Sequence, residues 1–150
     1  MNLHTQSLYD LYERDLDRVL SELKAYNREE NLWKVSGEIT NSSGNLILHI
    51  CGNLRHFIGS MLGGSGYIRQ RDDEFNLKDV KKSEMVDQIK ETKKIVLETI
   101  ANLTDEQLAS NFPVNVFGKE MTNVFFIQHL YGHLNYHLGQ VNYHRRLLDN

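Results

Sequence analysis

Three histidines, His129, His133 and His137, recur at four-residue intervals in a segment that closes on His-Leu-Gly-Gln, residues 137–140. A helix advances about 100° per residue, so side chains four apart face nearly the same way, with Cβ atoms roughly 6 Å apart. Two imidazoles at that separation can bind one metal ion, and a third from a facing helix completes an open triad. His49, isolated in the apolar run Leu46-Ile-Leu-His-Ile-Cys, is the candidate for that third position.

Three neutral imidazoles suit Zn²⁺, Ni²⁺ or another borderline divalent ion and leave a place for water or substrate. The same rings also fit a plainer role as surface or hydrogen-bonded core histidines, and spacing alone leaves both open. No carboxylate shares the histidine face of the last helix, which argues against a di-iron bundle built on Glu-x-x-His.

Helices must hold these residues, and the apolar pattern predicts four long ones. Leu8, Tyr12, Leu16, Val19 and Leu23 recur at helical spacing and predict a first helix from about Thr5 to Tyr26. Trp33 follows in a connection of mixed character. Thr40-Asn-Ser-Ser-Gly-Asn reads as a turn and N-cap ahead of the stripe Leu46, Ile50, Leu54, Phe57 and Met61, which Gly63-Gly-Ser-Gly ends.

Arg69 to Lys82 is a polar loop of both charge signs. Ser83 and Glu84 open a third helix with Met85, Ile89, Val96 and Ile100 inward. Thr104-Asp-Glu-Gln supplies a capping box for one short turn. Weak alternation over residues 112–121 allows a short hairpin, and Thr122 caps a last helix reaching about Leu148, roughly 40 Å long. The expected fold is all-α: a four-helix bundle with one longer connection, in a single domain spanning residues 1–150.

On a wheel with His133 at zero, Leu130, Leu134, Val141 and Leu148 fall between about 60° and 100°. His137 then lies near 40°, His129 near −40°, Gln140 near −20° and His144 near 20°, all at roughly 100° per residue. His49 and His56 border the stripe of the second helix in the same way. Two helices that each carry histidine beside their apolar seam can bring those rings together on packing. Cys51 lies about 200° from His49 and reads as structural.

The totals exclude several functions. The chain has 150 residues, 40% hydrophobic and 25% charged, a net charge of −3 and no basic block, which removes the electrostatic case for nucleic-acid binding. No stretch approaches the roughly 20 apolar residues of a membrane span. The opening Met1–Asp10 lacks the regions of a signal peptide. With the lone Cys51, this predicts a reducing cytoplasmic setting. Gly63-Gly-Ser-Gly lacks the Lys-Ser/Thr of a phosphate loop. Arg145 and Arg146 suit the dipole at the last helix's C-terminus and can also meet an anionic substrate.

His49 in Leu-Ile-Leu-His-Ile-Cys, and His133-Leu-Asn-Tyr-His137-Leu-Gly139-Gln140, resemble the DinB-like superfamily of metal-binding bundles. Trp33 and Leu103-Thr-Asp-Glu-Gln-Leu extend the likeness over nearly the whole chain. The resemblance implies that His49, His133 and His137 hold a divalent metal, commonly zinc or nickel. It leaves His129 and His144 as polar-cleft or surface residues. The family is similar in outline to transferases and isomerases that use bacillithiol, mycothiol or glutathione.

A thiol-dependent S-transferase is therefore expected, in which a metal-bound thiolate attacks a small electrophilic substrate. Gln140 either orients a bound group or hydrogen-bonds a helix neighbour. Metal-dependent hydrolysis ranks lower, because neither ligand helix offers a carboxylate base on its histidine face. A non-catalytic metal- or small-molecule-binding protein is the alternative, since no acid, base or nucleophile stands out beyond the ligands. Related bundles often pair, and aromatic residues cluster near the last helix, so a homodimer is expected, with Tyr136 and Tyr143 exposed or facing the partner.

Overall fold

The computed structural model describes all 150 residues. Its long helices are α1 (Leu3–Ala25), α2 (Ser43–Leu54), α4 (Lys82–Asn102) and α6 (Asn123–Leu148), with short helices α3 (Arg71–Asn76) and α5 (Asp105–Ala109) between them. A 3₁₀ turn, Glu29–Trp33, lies between α1 and α2, and α2 runs on as a π-helical segment, Arg55–Leu62. The architecture is all-α and contains no strand.

Side-chain caps begin most of the long helices. Asn2 accepts from the Thr5 amide, Ser42 from the Asn45 amide and Thr122 from the Phe125 amide, each satisfying a backbone donor that the first turn leaves free. Thr104 and Gln107 form the reciprocal capping box of α5.

Around the bundle, α1 packs on α4 and α6, and α2 on those same two helices. The helices α1 and α2 are thus diagonal, as are α4 and α6. Two connections cross the bundle, where the apolar pattern suggested a single longer link. Pattern alone records which residues face inward and not which neighbour they meet. Trp33 anchors the first crossing by lying flat on Gly44, where a Cβ would stand 2.7 Å from the indole ring.

Helix α2 is buried on every side, from Ser43 through Leu54. Its outer side is covered by α3 and the Glu29–Trp33 turn. Beyond Leu54 the π turns shift the register, so Ile58 enters the core and Phe57 is left half-buried. The stripe drawn through Phe57 and Met61 assumed an unbroken 3.6-residue period; the wider turn rotates those side chains away from it.

Two segments differ from the sequence pattern. The polar stretch beginning at Arg69 contains α3, whose single buried residue is Glu74. A helix whose inward face is a carboxylate carries no apolar period to detect. Residues 112–121 form no hairpin. One antiparallel bridge joins Asn111 to Thr122, and the Phe112 amide donates to the Met121 carbonyl at 2.8 Å. Pro113 has no N–H to extend the ladder, so the buried Phe112 and Met121 merely pin the loop closed.

Candidate metal centre

His49 sits in the middle of α2, with 7% of its surface exposed. Its ring Nδ1–H donates to Glu74 Oε1 at 2.9 Å. Glu74 comes from α3 and is held in turn by Arg69, whose Nε donates to Oε2 at 2.8 Å and Nη2 to Oε1 at 2.9 Å. Asn45 ties this segment to the start of α2 by donating to the carbonyls of Glu74 and Leu77 at 3.0 and 2.8 Å. Close approach also needs Gly52, where a Cβ would lie 1.9 Å from Glu74 Oε2.

Burial alone would raise the Glu74 carboxyl, but hydrogen bonds from His49 and Arg69 outweigh it and hold the group below its ordinary value. An ionised carboxylate only accepts, so the proton on His49 resides at Nδ1 and the lone pair at Nε2. On α6, His137 repeats the pattern with a neutral partner. Its Nδ1–H donates to Gln140 Oε1 at 2.7 Å, again leaving the lone pair at Nε2.

His133 faces both rings. Its Nε2 lies 3.1 Å from Nε2 of His49 and 3.1 Å from Nε2 of His137. One proton on His133 can serve only one of those two acceptors, so nitrogen lone pairs converge on a common point with too few donors between them. Burial, then the neighbouring His137 and His49, push His133 down to about 3, and burial lowers His137 as well.

The donor set fits a divalent ion. Metal–nitrogen bonds of about 2.0–2.1 Å place adjacent ligands roughly 2.9–3.4 Å apart for angles between 90° and tetrahedral. The two separations from His133, 3.1 Å each, fall inside that range. The three ligand atoms together lie within 4.8 Å of one another, so His49 and His137 would draw closer to share one ion. The range covers both zinc and nickel geometries.

The other singled-out residues lie outside this cluster. His129 is exposed and packs edge-on against Phe117, with ring centroids 4.7 Å apart. His56 lies edge-on against Phe57. His144 is buried one turn beyond Gln140, and its Nδ1 has no hydrogen-bond partner. Gln140 bonds its helix neighbour His137.

Cys51 is buried, and burial pushes its thiol up to about 11, which disqualifies it as a nucleophile. Arg145 is engaged by Glu22 at 2.7 Å and Arg146 by Asn142 at 3.1 Å. Two cavities flank the centre, one of about 300 Å³ reaching His49 and His133 and one of about 370 Å³ reaching His137, Gln140 and His144.

Neither Glu74 nor Arg69 falls on an apolar helical stripe, so periodicity does not mark them. The available signals were Gly52, one turn below His49, and mixed charge over residues 69–74 with no other assigned role.

The all-helical bundle has the fold of DinB-like proteins, and the three rings it brings together can hold a metal ion. The chain matches the family described as "Protein of unknown function (DUF1572)" over residues 4–150 and belongs to it. It is similar in fold to the crystal structure of a conserved protein from Enterococcus faecalis, with a TM-score of 0.78 at 15% identity, covering 99% of this chain and 98% of that one. It is also similar to a DinB-like protein from Bacillus cereus, with a TM-score of 0.69 at 19% identity, covering 89% of this chain and 85% of that one. A comparison with curated proteins gives no match. No helix is long and apolar enough to cross a membrane.

Proposed function

We propose that the protein binds one divalent metal ion, zinc or nickel, through His49, His133 and His137, and that it is a cytoplasmic enzyme. Its proposed reaction is transfer of a low-molecular-weight thiol to a small electrophile: the thiol proton passes to solvent, the sulfur bonds to the electrophilic carbon, and that carbon's leaving group departs with its bonding pair. The convergence of the three Nε2 atoms carries this reading, because Glu74 and Gln140 fix two of the rings with their lone pairs inward. Three neutral ligands leave a divalent ion its full charge, which favours the deprotonated form of a thiol or water brought to the open position.

The chain's own residues supply the setting. Glu74, held by Arg69, keeps the His49 ring oriented with its lone pair inward, an arrangement that tightens metal binding. Phe57, Phe117 and Phe126 line the cavity beside His49 and His133 and give one side of the centre an apolar wall. Glu74 is committed to His49 and Arg69, so it is not free to act as a base on that side. A thiol acidified at the centre needs no further base.

Hydrolysis is a second reading, favoured by one observation. Glu38 and His144 line the cavity that reaches His137, and either can accept a proton from water. Metal analysis of protein purified without a histidine tag tests the shared premise. His133→Ala is expected to lower affinity by about 100-fold or more, since even partners behind a ligand are worth 10–100-fold. Assays of the loaded protein with thiols and an electrophile panel then separate the two reactions: turnover that persists unchanged without thiol rules out the transferase.

We also propose that the protein forms a homodimer through α6. Phe125, Tyr136, Tyr143 and Leu147 share one exposed stripe of that helix. Gly132 and Gly139 lie on the same stripe, with nothing within 4 Å of where a Cβ would stand. A glycine inside a helix costs roughly 0.5–1 kcal/mol relative to alanine, and nothing within the chain packs against either one.

A further inference from the structure

The cavity beside His49 and His133 is built with features that metal binding does not require. Its wall is aromatic: Phe57 and Phe126 have centroids 5.1 Å apart, and Phe117 and Phe126 6.2 Å. Two guanidinium groups, Arg69 and Arg71, line it, and no carboxylate does. Arg69 spends Nε and Nη2 on Glu74. Arg71 has no ion pair, and its guanidinium rests 5.2 Å from the Phe75 ring centroid.

Asn53 points to a ligand independently. It lies one turn beyond His49 on α2, lines this cavity and is 7% exposed. Its Oδ1 is buried without a partner. Buried amides are almost always hydrogen-bonded, because an unpaired one forfeits its water for nothing. An unpaired amide beside a free cation and an aromatic wall is the complement of a polar, anionic, partly apolar molecule.

We propose that this cavity binds a small carboxylate carrying a hydroxyl or amide next to the carboxyl and a single apolar ring or branched chain. Arg71 holds the carboxylate, Asn53 pairs with the adjoining polar group, and Phe57, Phe117 and Phe126 take the apolar part. At about 300 Å³ the space is at the low end for ligand sites, which limits the molecule to roughly one ring. The pocket takes the carboxylate end of the electrophile that the proposed metal centre acts on, and rests on that reading for its catalytic meaning, though not for binding.

The test is calorimetric titration of metal-free wild type, Arg71→Ala and Asn53→Leu with mandelate, mandelamide and phenylacetate. Wild type is expected to prefer mandelate over mandelamide by about tenfold or more, the loss that follows removal of a charge-assisted contact. Arg71→Ala should abolish that preference, and Asn53→Leu should bring mandelate down to phenylacetate. Both variants should keep the wild-type helical spectrum, since Arg71 is exposed and leucine can fill the buried Asn53 site.

Equal binding of acid and amide, no binding of either, or a preference that survives in Arg71→Ala overturns the proposal. Zinc competition on the same samples separates the two readings. Zinc binding without acid preference removes the carboxylate pocket alone, whereas acid preference without zinc binding removes the metal centre alone.

Discussion

Glu74 Oε1 lies 2.9 Å from His49 Nδ1, although the two residues sit on different helices and 25 positions apart. This contact fixes which nitrogen of His49 faces the other two rings. Removing the charge while keeping the shape, as in Glu74→Gln, is expected to lower zinc affinity by about 10–100-fold with the fold retained. Gly52→Ala should do the same by displacing Glu74, because its Cβ would overlap Oε2. Competition against a chromophoric chelator measures both. Unchanged affinity in Glu74→Gln would mean that the carboxylate has no part in ligation.

Stability of the metal-free protein should depend on pH through the buried rings. His133 is pushed from 6.5 to about 3 in the folded chain, while the unfolded chain titrates near 6.5. Between those values the unfolded state binds the extra proton. Stability is therefore fully present above about pH 6.5 and falls as the pH drops toward 3. Urea midpoints from about pH 7.5 to about 5 check this, and His133→Gln should flatten the slope. A flat wild-type profile over that interval contradicts the expected burial of neutral rings.

Tyr12 is fully buried, and its hydroxyl donates to the Ile127 carbonyl at 2.7 Å, joining α1 to α6. Tyr12→Phe keeps the edge contact with Tyr131, whose ring centroid is 5.3 Å away. The loss is then one hydrogen bond, about 1 kcal/mol, or a melting-point drop of roughly 2–4 °C for a chain of this size. Calorimetry reads it directly, and an unchanged melting temperature would show that the bond adds nothing net.

The α6 stripe makes its own prediction. Tyr136 and Tyr143 are each 67% exposed, and replacing both with glutamate should yield a monomer without lowering the melting temperature of the single chain. Light scattering after size-exclusion chromatography checks both proteins. Wild type that stays monomeric over the whole concentration range would leave the stripe without a partner.

Sequence alone determined the helical rods and the rings that border their seams. Apolar residues at the helical period mark α1, α2, α4 and α6 because burying one face is what stabilises a helix in a bundle. Caps such as Thr104 and Thr122 are legible because they act within one turn. His133 and His137 share a face by the same local geometry.

Tertiary packing decided what no local period encodes. It covered the outer side of α2 as well, so that His49 is enclosed rather than bordering solvent, and it brought α3 over Gly52 to place Glu74 behind that ring. It also left the Asn53 side-chain oxygen without a hydrogen bond and Arg71 without an ion pair beside the aromatic wall. These relationships join residues far apart in the chain through polar contacts, and such contacts leave no repeating apolar signature in the sequence.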